Sequence, residues 1–209
     1  MGLQERHTQS ARAPDRGVAR RQAFLQAARE VFLEQGYEAA SVNDVVRKAG
    51  GSLATLYAQF GSKEGLFVAV VQDQHERFSK AMTPHNVDGL PLEEGLQQIG
   101  ERFLRGLLAP DNLAFYRIVV GEVRKFPQHL QKYSGSGADR VRSVVTSFVK
   151  ASGVALSDEE REVSYLLEIW RSRHHYRALV DESYVVDEAE LRAHVADGVR
   201  FFLQACGKA

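Results

Sequence analysis

Apolar residues recur at intervals of three and four along this chain, and this spacing limits its possible folds more than any other feature. Phe24, Ala28, Val31 and Phe32 fall on one face of a helix, and similar stripes continue almost to the end of the sequence. No segment alternates apolar and polar residues between turn residues, which is the pattern of half-buried strands. The sequence therefore predicts an all-α chain of about nine helices.

Glycine, proline and serine predict where these helices end. Gly36 stands at the expected end of the first helix, and Gly50-Gly51 stops the second. Pro127 is expected to close a helix that includes Phe126. Residues 134–137, with the sequence SGSG, are typical of a loop.

Composition narrows the class of protein. The 209 residues contain one cysteine, Cys206, which excludes an internal disulfide framework and a cysteine-built zinc site. No apolar run approaches the roughly 18–20 residues of a membrane helix, and no apolar signal segment follows Met1. We therefore expect a soluble cytoplasmic protein with no membrane partner.

Charge is balanced over the whole chain, with 27 basic and 27 acidic residues, but it is not evenly spread. Up to Lys63 there are nine basic and six acidic residues. Residues 1–17 are polar and rich in arginine, which predicts a mobile arm. Arg16, Arg20 and Arg21 either contact a polyanion or simply keep this arm in solution.

The most informative stretch runs from Ser41 to Lys63 and reads SVNDVVRKAGGSLATLYAQFGSK. It predicts two short helices joined by a tight Gly-Gly-Ser turn, between two longer helices, which is the layout of a helix-turn-helix. Helix starts at Val42 and Leu53 offer free amides to phosphates. Four side chains add hydroxyl groups: Ser41, Ser52, Thr55 and Tyr57.

At these positions the sequence resembles the TetR/AcrR family of helical repressors. The matching residues are Ala49-Gly50, Ser52, Thr55-Leu56-Tyr57, Phe60, Ser62-Lys63-Glu64 and Leu66, preceded by Phe24, Ala27, Ala28, Phe32, Gly36 and Tyr37. Residues 117–133 are also similar to the AefR-like type of C-terminal domain. The resemblance implies a homodimer, a DNA-binding domain over residues 18–64, and a ligand-binding and dimerisation domain over residues 65–209.

The resemblance also implies roles for individual residues of the second short helix. Thr55, Tyr57 and Lys63 correspond to phosphate contacts, and Leu53, Ala54 and Gln59 to positions that face the groove. Gln59 has the groups to read adenine, and Leu53 or Ala54 can touch a thymine methyl. Leu53-Ala54 stands where the family usually has Lys-Gly, so the operator sequence does not follow from the resemblance.

Aromatic residues of the C-terminal part either fill its core or line a ligand cavity. The candidate ligand-binding residues are Phe103, Phe115, Tyr116, Glu122, Phe148, Trp170, His174 and Tyr176, with Arg124 as a further polar candidate. His174 and His175 are adjacent on a helix and point about 100° apart, so they cannot chelate one metal ion together. We expect no metal, no cofactor and no catalytic residue.

The final two helices have broad apolar faces, including Val199 and Phe202, and we expect them to pair across a two-fold axis. The sequence thus predicts a dimeric, ligand-responsive transcriptional regulator, most simply a repressor that a small molecule releases from a palindromic operator. The alternative is a small-molecule-binding or catalytic helical protein with a vestigial helix-turn-helix.

Overall fold

The computed structural model describes residues 16–81, 87, 89–126 and 136–207, and for residues 136–138 it describes the backbone only. Within these ranges the chain is all-α, as predicted, and no strand is present. The nine helices of the described ranges are α1 (Arg16–Ala39), α2 (Val42–Ala49), α3 (Leu53–Phe60), α4 (Lys63–Ala81), α5 (Leu92–Leu108), α6 (Pro110–Glu122), α7 (Ser136–Ala151), α8 (Glu159–Val180) and α9 (Glu188–Ala205).

Three predicted boundaries need correction. Most of the predicted arm lies outside the described residues, but residues 16 and 17 already belong to α1, whose first turns are held by contacts of Arg20 and Arg21. Residues 136 and 137, predicted as loop, begin α7. Serine and glycine are disfavoured within a helix but are accepted at its start. Residues 134 and 135 are outside the described part.

Helix α6 ends at Glu122 rather than near Pro127, where the sequence predicts its end. The following turn brings Phe126 against α1 and α4, where its ring centroid lies 5.0 Å from that of Tyr37 and 6.1 Å from that of Phe67. Burial of this aromatic ring accounts for the earlier helix end.

Buried apolar side chains form two clusters. The first joins α1, α2, α3 and the first half of α4 and also takes in Phe115 of α6. The second joins α5, α7, α8 and α9 around Trp170. Helix α4 connects the two, since Leu66 and Val71 belong to the first cluster and Phe78 packs against the second. The N-terminal core therefore extends beyond residue 64, where the sequence predicts the domain to end.

The last two helices use their main apolar faces inside the monomer. Val199 is fully buried and Phe202 is only 4% exposed, so these residues do not lie on the surface that was predicted to pair between subunits. The neighbouring Phe201 is 64% exposed and points away from the core. In the part of the chain that the structure describes, no helix is long and apolar enough to cross a membrane.

Candidate functional site

A tight glycine turn sets the angle between α2 and α3. Gly50 and Gly51 have φ values of 71° and 102°, a region that side chains strongly disfavour. A Cβ atom on Gly51 would also lie 3.2 Å from Cζ of Phe24 in α1. Two glycines therefore let the chain reverse direction directly against α1.

Serine caps begin both short helices, as predicted. The Ser41 hydroxyl accepts a hydrogen bond from the Asn43 amide at 3.2 Å, and the Ser52 hydroxyl accepts one from the Thr55 amide at 3.1 Å. The hydroxyl oxygens of Ser52 and Thr55 are 2.9 Å apart. These three hydroxyls fix the helix starts, and Ser52 and Thr55 are held together at the N-terminus of α3.

Packing against the neighbouring helices divides α3 into a buried and an exposed face. Leu56 is fully buried, and the Phe60 ring packs edge-on against Phe24 at 6.3 Å. Leu53 and Ala54 lie on the outside, and Tyr57 is 46% exposed. The exposed face therefore carries two large apolar side chains that add nothing to the core.

Gln59 is not on this exposed face. It lies two residues, or about 200°, from Tyr57 around the helix. Its side chain is half-buried, and its Oε1 atom is shielded from solvent with no hydrogen-bond partner among the described residues. The structure thus brings Leu53, Ala54 and Tyr57 together and separates Gln59 from them.

Lys63 begins α4 but is anchored to α1. Its Nζ donates a hydrogen bond to the carbonyl oxygen of Glu38 at 3.0 Å and lies 4.7 Å above the Tyr37 ring centroid. These contacts offset the unfavourable position of a cation at a helix N-terminus. A lysine ammonium has three donors, so Lys63 can keep this anchor and still bind a phosphate.

Arg20 and Arg21 brace the helix-turn-helix from α1. Arg20 donates to the Ala49 carbonyl oxygen at 3.3 Å, at the end of α2, and the Arg21 guanidinium lies 4.6 Å from the Phe60 ring centroid. Both arginines therefore contact the helix-turn-helix itself, independently of any contact with DNA. Arg16 is exposed at the start of α1.

Replacing Lys63 by alanine is expected to weaken binding to any DNA duplex, because a phosphate contact reads no sequence. In the predicted dimer two contacts disappear, so the slope of log K against log salt should shrink by about 2. Fluorescence anisotropy on two unrelated duplexes across a salt series measures this. Lys80→Ala, at an exposed lysine on the same helix, is the control. An unchanged slope in Lys63→Ala would show that Lys63 serves only the α1 anchor.

A cavity of about 430 Å³ opens between α4, α5, α6, α7 and α8. Of the eight predicted ligand residues, Phe103, Phe115 and Tyr116 line it. The remaining lining residues are Val71, Gln74, His75, Phe78, Leu107, Asn112, Val119, Val120, Val123, Arg142, Ser164, Leu167, Glu168, Arg171 and His175.

The other five predicted ligand residues lie elsewhere. Trp170 is fully buried in the C-terminal core, and the Phe148 ring packs against the backbone of Gly95, where no Cβ would fit. Tyr176 is 70% exposed on α8. The remaining two have their own partners: His174 lies 2.6 Å from the Tyr184 hydroxyl, and Glu122 pairs with Lys125 at 3.0 Å.

Sequence reasoning missed the polar residues of the cavity wall, although a signal was present. Gln74 stands between Val70 and Phe78 at intervals of four, on an otherwise apolar stripe of α4. Arg171 and His175 continue the stripe of Leu167 on α8 in the same way. A polar residue within an otherwise apolar stripe indicates that this part of the helix lines a cavity and does not pack into a filled core.

The adjacent histidines of α8 face different surroundings. His174 contacts Tyr184 and His194, whereas the His175 ring lies 5.2 Å from that of Tyr116 at the cavity. The structure thus assigns them to separate sites. No group of three His, Cys, Asp or Glu side chains suited to a metal ion occurs in the ranges that the structure describes.

Two family models match this chain. Residues 24–70 match the model for bacterial regulatory proteins of the tetR family, and residues 94–208 match the C-terminal domain of AefR-like transcriptional repressors. Among curated relatives, the transcriptional repressor ComR of Escherichia coli is 46% identical over 59 residues, 28% of either chain. The repressor AcnR of Corynebacterium glutamicum is 30% identical over 94 residues, 45% of this chain and 49% of its own. These matches span less than half of each relative.

Similarity to solved structures extends over nearly the whole chain. A protein described as a TetR-family transcriptional regulator from Mesorhizobium loti superposes with a TM-score of 0.79 at 25% identity, covering 91% of this chain and 98% of its own. The flavonoid-responsive regulator FrrA gives a TM-score of 0.73 at 27% identity, covering 89% and 96%.

Proposed function

This chain belongs to the tetR family of bacterial regulatory proteins and is a DNA-binding transcriptional regulator, and we propose that it represses its target genes from a palindromic operator as a homodimer. In this proposal residues 18–64 and the start of α4 bind DNA, the remaining helices dimerise, and a small molecule in the cavity releases the operator. The observation that carries it is the exposed face of α3, with Leu53, Ala54 and Tyr57 presented outward from a rigidly capped turn.

Homodimerisation is supported by an apolar stripe that the monomer core does not use. On α8, Tyr165 lies before the break in helical geometry at Ser172 (φ 3°, ψ −125°), and Tyr176 and Val180 lie after it. Each of these three side chains is at least 60% exposed, and Tyr176 and Val180, four residues apart, share one side. Phe201 of α9 is equally exposed. Large apolar side chains exposed on two neighbouring helices are typical of a subunit interface. A two-fold axis through this surface would pair α8 and α9 with their copies.

A polar cluster connects the cavity wall to the DNA-binding helices. Arg29 of α1 donates to Oε1 of Gln74 at 3.0 Å and pairs with Asp111 of α6 at 2.8 Å. Gln74 in turn donates to Asn112. Because Gln74 and Asn112 line the cavity, a ligand that moves them would pull on α1. This is the proposed path from ligand to operator.

Replacing Arg29 by alanine is expected to lower the free energy of unfolding by about 1–3 kcal/mol, because Gln74 and Asp111 lose a largely buried partner. Lys80→Ala is the control, since Lys80 makes an exposed pair with Glu76 within α4 that contributes about 0–1 kcal/mol. Urea unfolding of both variants gives the comparison. Equal losses of unfolding free energy in the two variants would mean that this cluster does not join α1 to the cavity wall. The proposed path would then fail.

Selection from random duplex DNA with the full chain tests the proposed function. The recovered sequences should contain an inverted repeat whose half-sites are centred about one helical turn apart, or a multiple of it. The mass of the complex should show an even number of chains for each site. Recovery of no common sequence, or of a single unrepeated half-site bound by one chain, would contradict the proposal.

A further inference from the structure

Aromatic rings make up much of the cavity wall. Phe78 and Phe103 meet edge to face with their centroids 6.2 Å apart, and Tyr116 and His175 do so at 5.2 Å. Phe115 completes the ring-lined part of the wall. Such edges and faces attract a further aromatic ring more strongly than an aliphatic group of equal area. The volume of about 430 Å³ is sufficient for a molecule of two or three rings.

The charged groups of the wall are already neutralised by partners in the chain. Arg171 pairs with Glu168 at 2.6 Å. Arg142 pairs with Glu160 at 2.9 Å and also with Asp139. An anion or a cation entering the cavity would lose its hydration and find no unpaired opposite charge. The wall therefore favours a ligand without a formal charge. The Nε of Arg142 is buried with no hydrogen-bond partner among the described residues, so it remains a donor for a hydroxyl or carbonyl oxygen.

The histidines of the wall are polar without being charged. His175 is 5% exposed, and burial lowers its pKa to about 4. Burial also lowers the pKa of His75. At neutral pH an uncharged imidazole offers one hydrogen-bond donor and one acceptor. It suits a hydroxyl or carbonyl group on a ligand rather than a carboxylate or an ammonium group.

We propose that the cavity binds an uncharged aromatic compound of two or three rings that carries a hydroxyl or carbonyl group, placed to bond the His175 imidazole. This inference rests on the proposed function only for the consequence of binding, the release of DNA. Binding itself is a property of the cavity, and it is measurable without DNA.

Titration calorimetry of the full chain with four matched probes tests the ligand class. The probes are para-phenylphenol, para-phenylbenzoate, para-phenylbenzylammonium and 4-cyclohexylcyclohexanol, the saturated alcohol with the carbon skeleton of the phenol. The phenol is expected to bind at least about tenfold more tightly than each of the others. Equal or tighter binding of a charged probe, equal binding of the saturated alcohol, or no binding of the phenol would overturn the proposal.

Variation of pH tests the role of an uncharged histidine. A phenol keeps its proton below a pKa of about 10, and His175 stays neutral well above its own pKa of about 4. The affinity for para-phenylphenol is therefore expected to be constant from about pH 6 to pH 8. An affinity that changes tenfold across this range would show that a charged group binds the ligand.

Two variants locate the site. Tyr116→Ala removes a half-exposed aromatic ring from the cavity wall and is expected to weaken phenol binding about tenfold. Val185 is 84% exposed and does not line the cavity, so Val185→Ala should leave phenol binding unchanged. Val120→Glu places an unpaired carboxylate at a half-exposed position of the wall and should raise the affinity for the ammonium probe about tenfold. Failure of both effects would place the probe outside this cavity. If the chain bound its operator but not the phenol, only this inference would be overturned. If it bound the phenol but no operator, only the proposed function would be overturned.

Discussion

Phe201→Glu is expected to give folded monomers that no longer hold the operator. The side chain is 64% exposed on α9, so a carboxylate there costs the monomer little. Across a two-fold interface, however, two glutamates would face an apolar stripe and lose their hydration. A dimer gains about 10²–10⁴ in affinity because its second half-site binds within the same complex. We therefore expect at least about a hundredfold loss of operator affinity, measured by anisotropy, together with a halved mass by light scattering.

Phe202→Glu is the matched control for this prediction. Phe202 is the next residue but is only 4% exposed in the C-terminal core, so a charge there should unfold the chain rather than separate the subunits. Circular dichroism distinguishes the two results. If Phe201→Glu kept the wild-type mass while folded, the exposed stripe of α8 and α9 would not be the subunit interface.

Ala54→Glu is expected to abolish DNA binding without harming the fold. Ala54 is exposed in the first turn of α3, where an acidic side chain stabilises the helix by about 0.3–1 kcal/mol. On DNA the same carboxylate would face the polyanion, and like charges brought together at an interface cost several kcal/mol. Two half-sites are affected in a dimer. The expected loss is at least about a thousandfold, which corresponds to about 4 kcal/mol.

Val185→Glu controls for the added charge, because Val185 is 84% exposed and lies outside the helix-turn-helix, between α8 and α9. It should retain nearly the full affinity, with only a small effect of net charge. Thermal unfolding of both variants separates binding from stability. DNA affinity that survived in Ala54→Glu would mean that the N-terminal turn of α3 does not enter a groove.

The local part of the fold could be predicted because its signals are local. Ser41 and Ser52 cap α2 and α3, and the positive φ values of Gly50 and Gly51 require the two glycines that the sequence supplies. Cap and turn chemistry depends on residues within three or four positions. The order and type of the helices followed from the same short-range patterns.

The cavity and the exposed stripe could not be predicted because they depend on how helices meet. Trp170 fills the core instead of lining a cavity, since Gly100 and Gly198 leave space for its ring; a Cβ on either would come within about 3 Å of neighbouring side chains, including Trp170 itself. Phe201 and Phe202 are identical in type and adjacent in sequence, yet only one is buried. Periodicity identifies an apolar face but not what covers it.

The same limit applied to α3. The resemblance placed Gln59 with Leu53 and Ala54, but packing against the neighbouring helices leaves Gln59 half-buried and exposes Tyr57. The face of a short helix that remains exposed is set by the helices around it, and eight residues carry too little pattern to fix that orientation.

The most direct test of operator recognition is a titration of the full chain on the selected inverted repeat and on a scrambled duplex across a salt series. For both duplexes log K should fall linearly with log salt, because phosphate contacts release counterions. The inverted repeat should be bound at least about a thousandfold more tightly at each salt concentration. Equal affinity for the two duplexes throughout the series would contradict the account, because α3 would then contact DNA without reading its sequence.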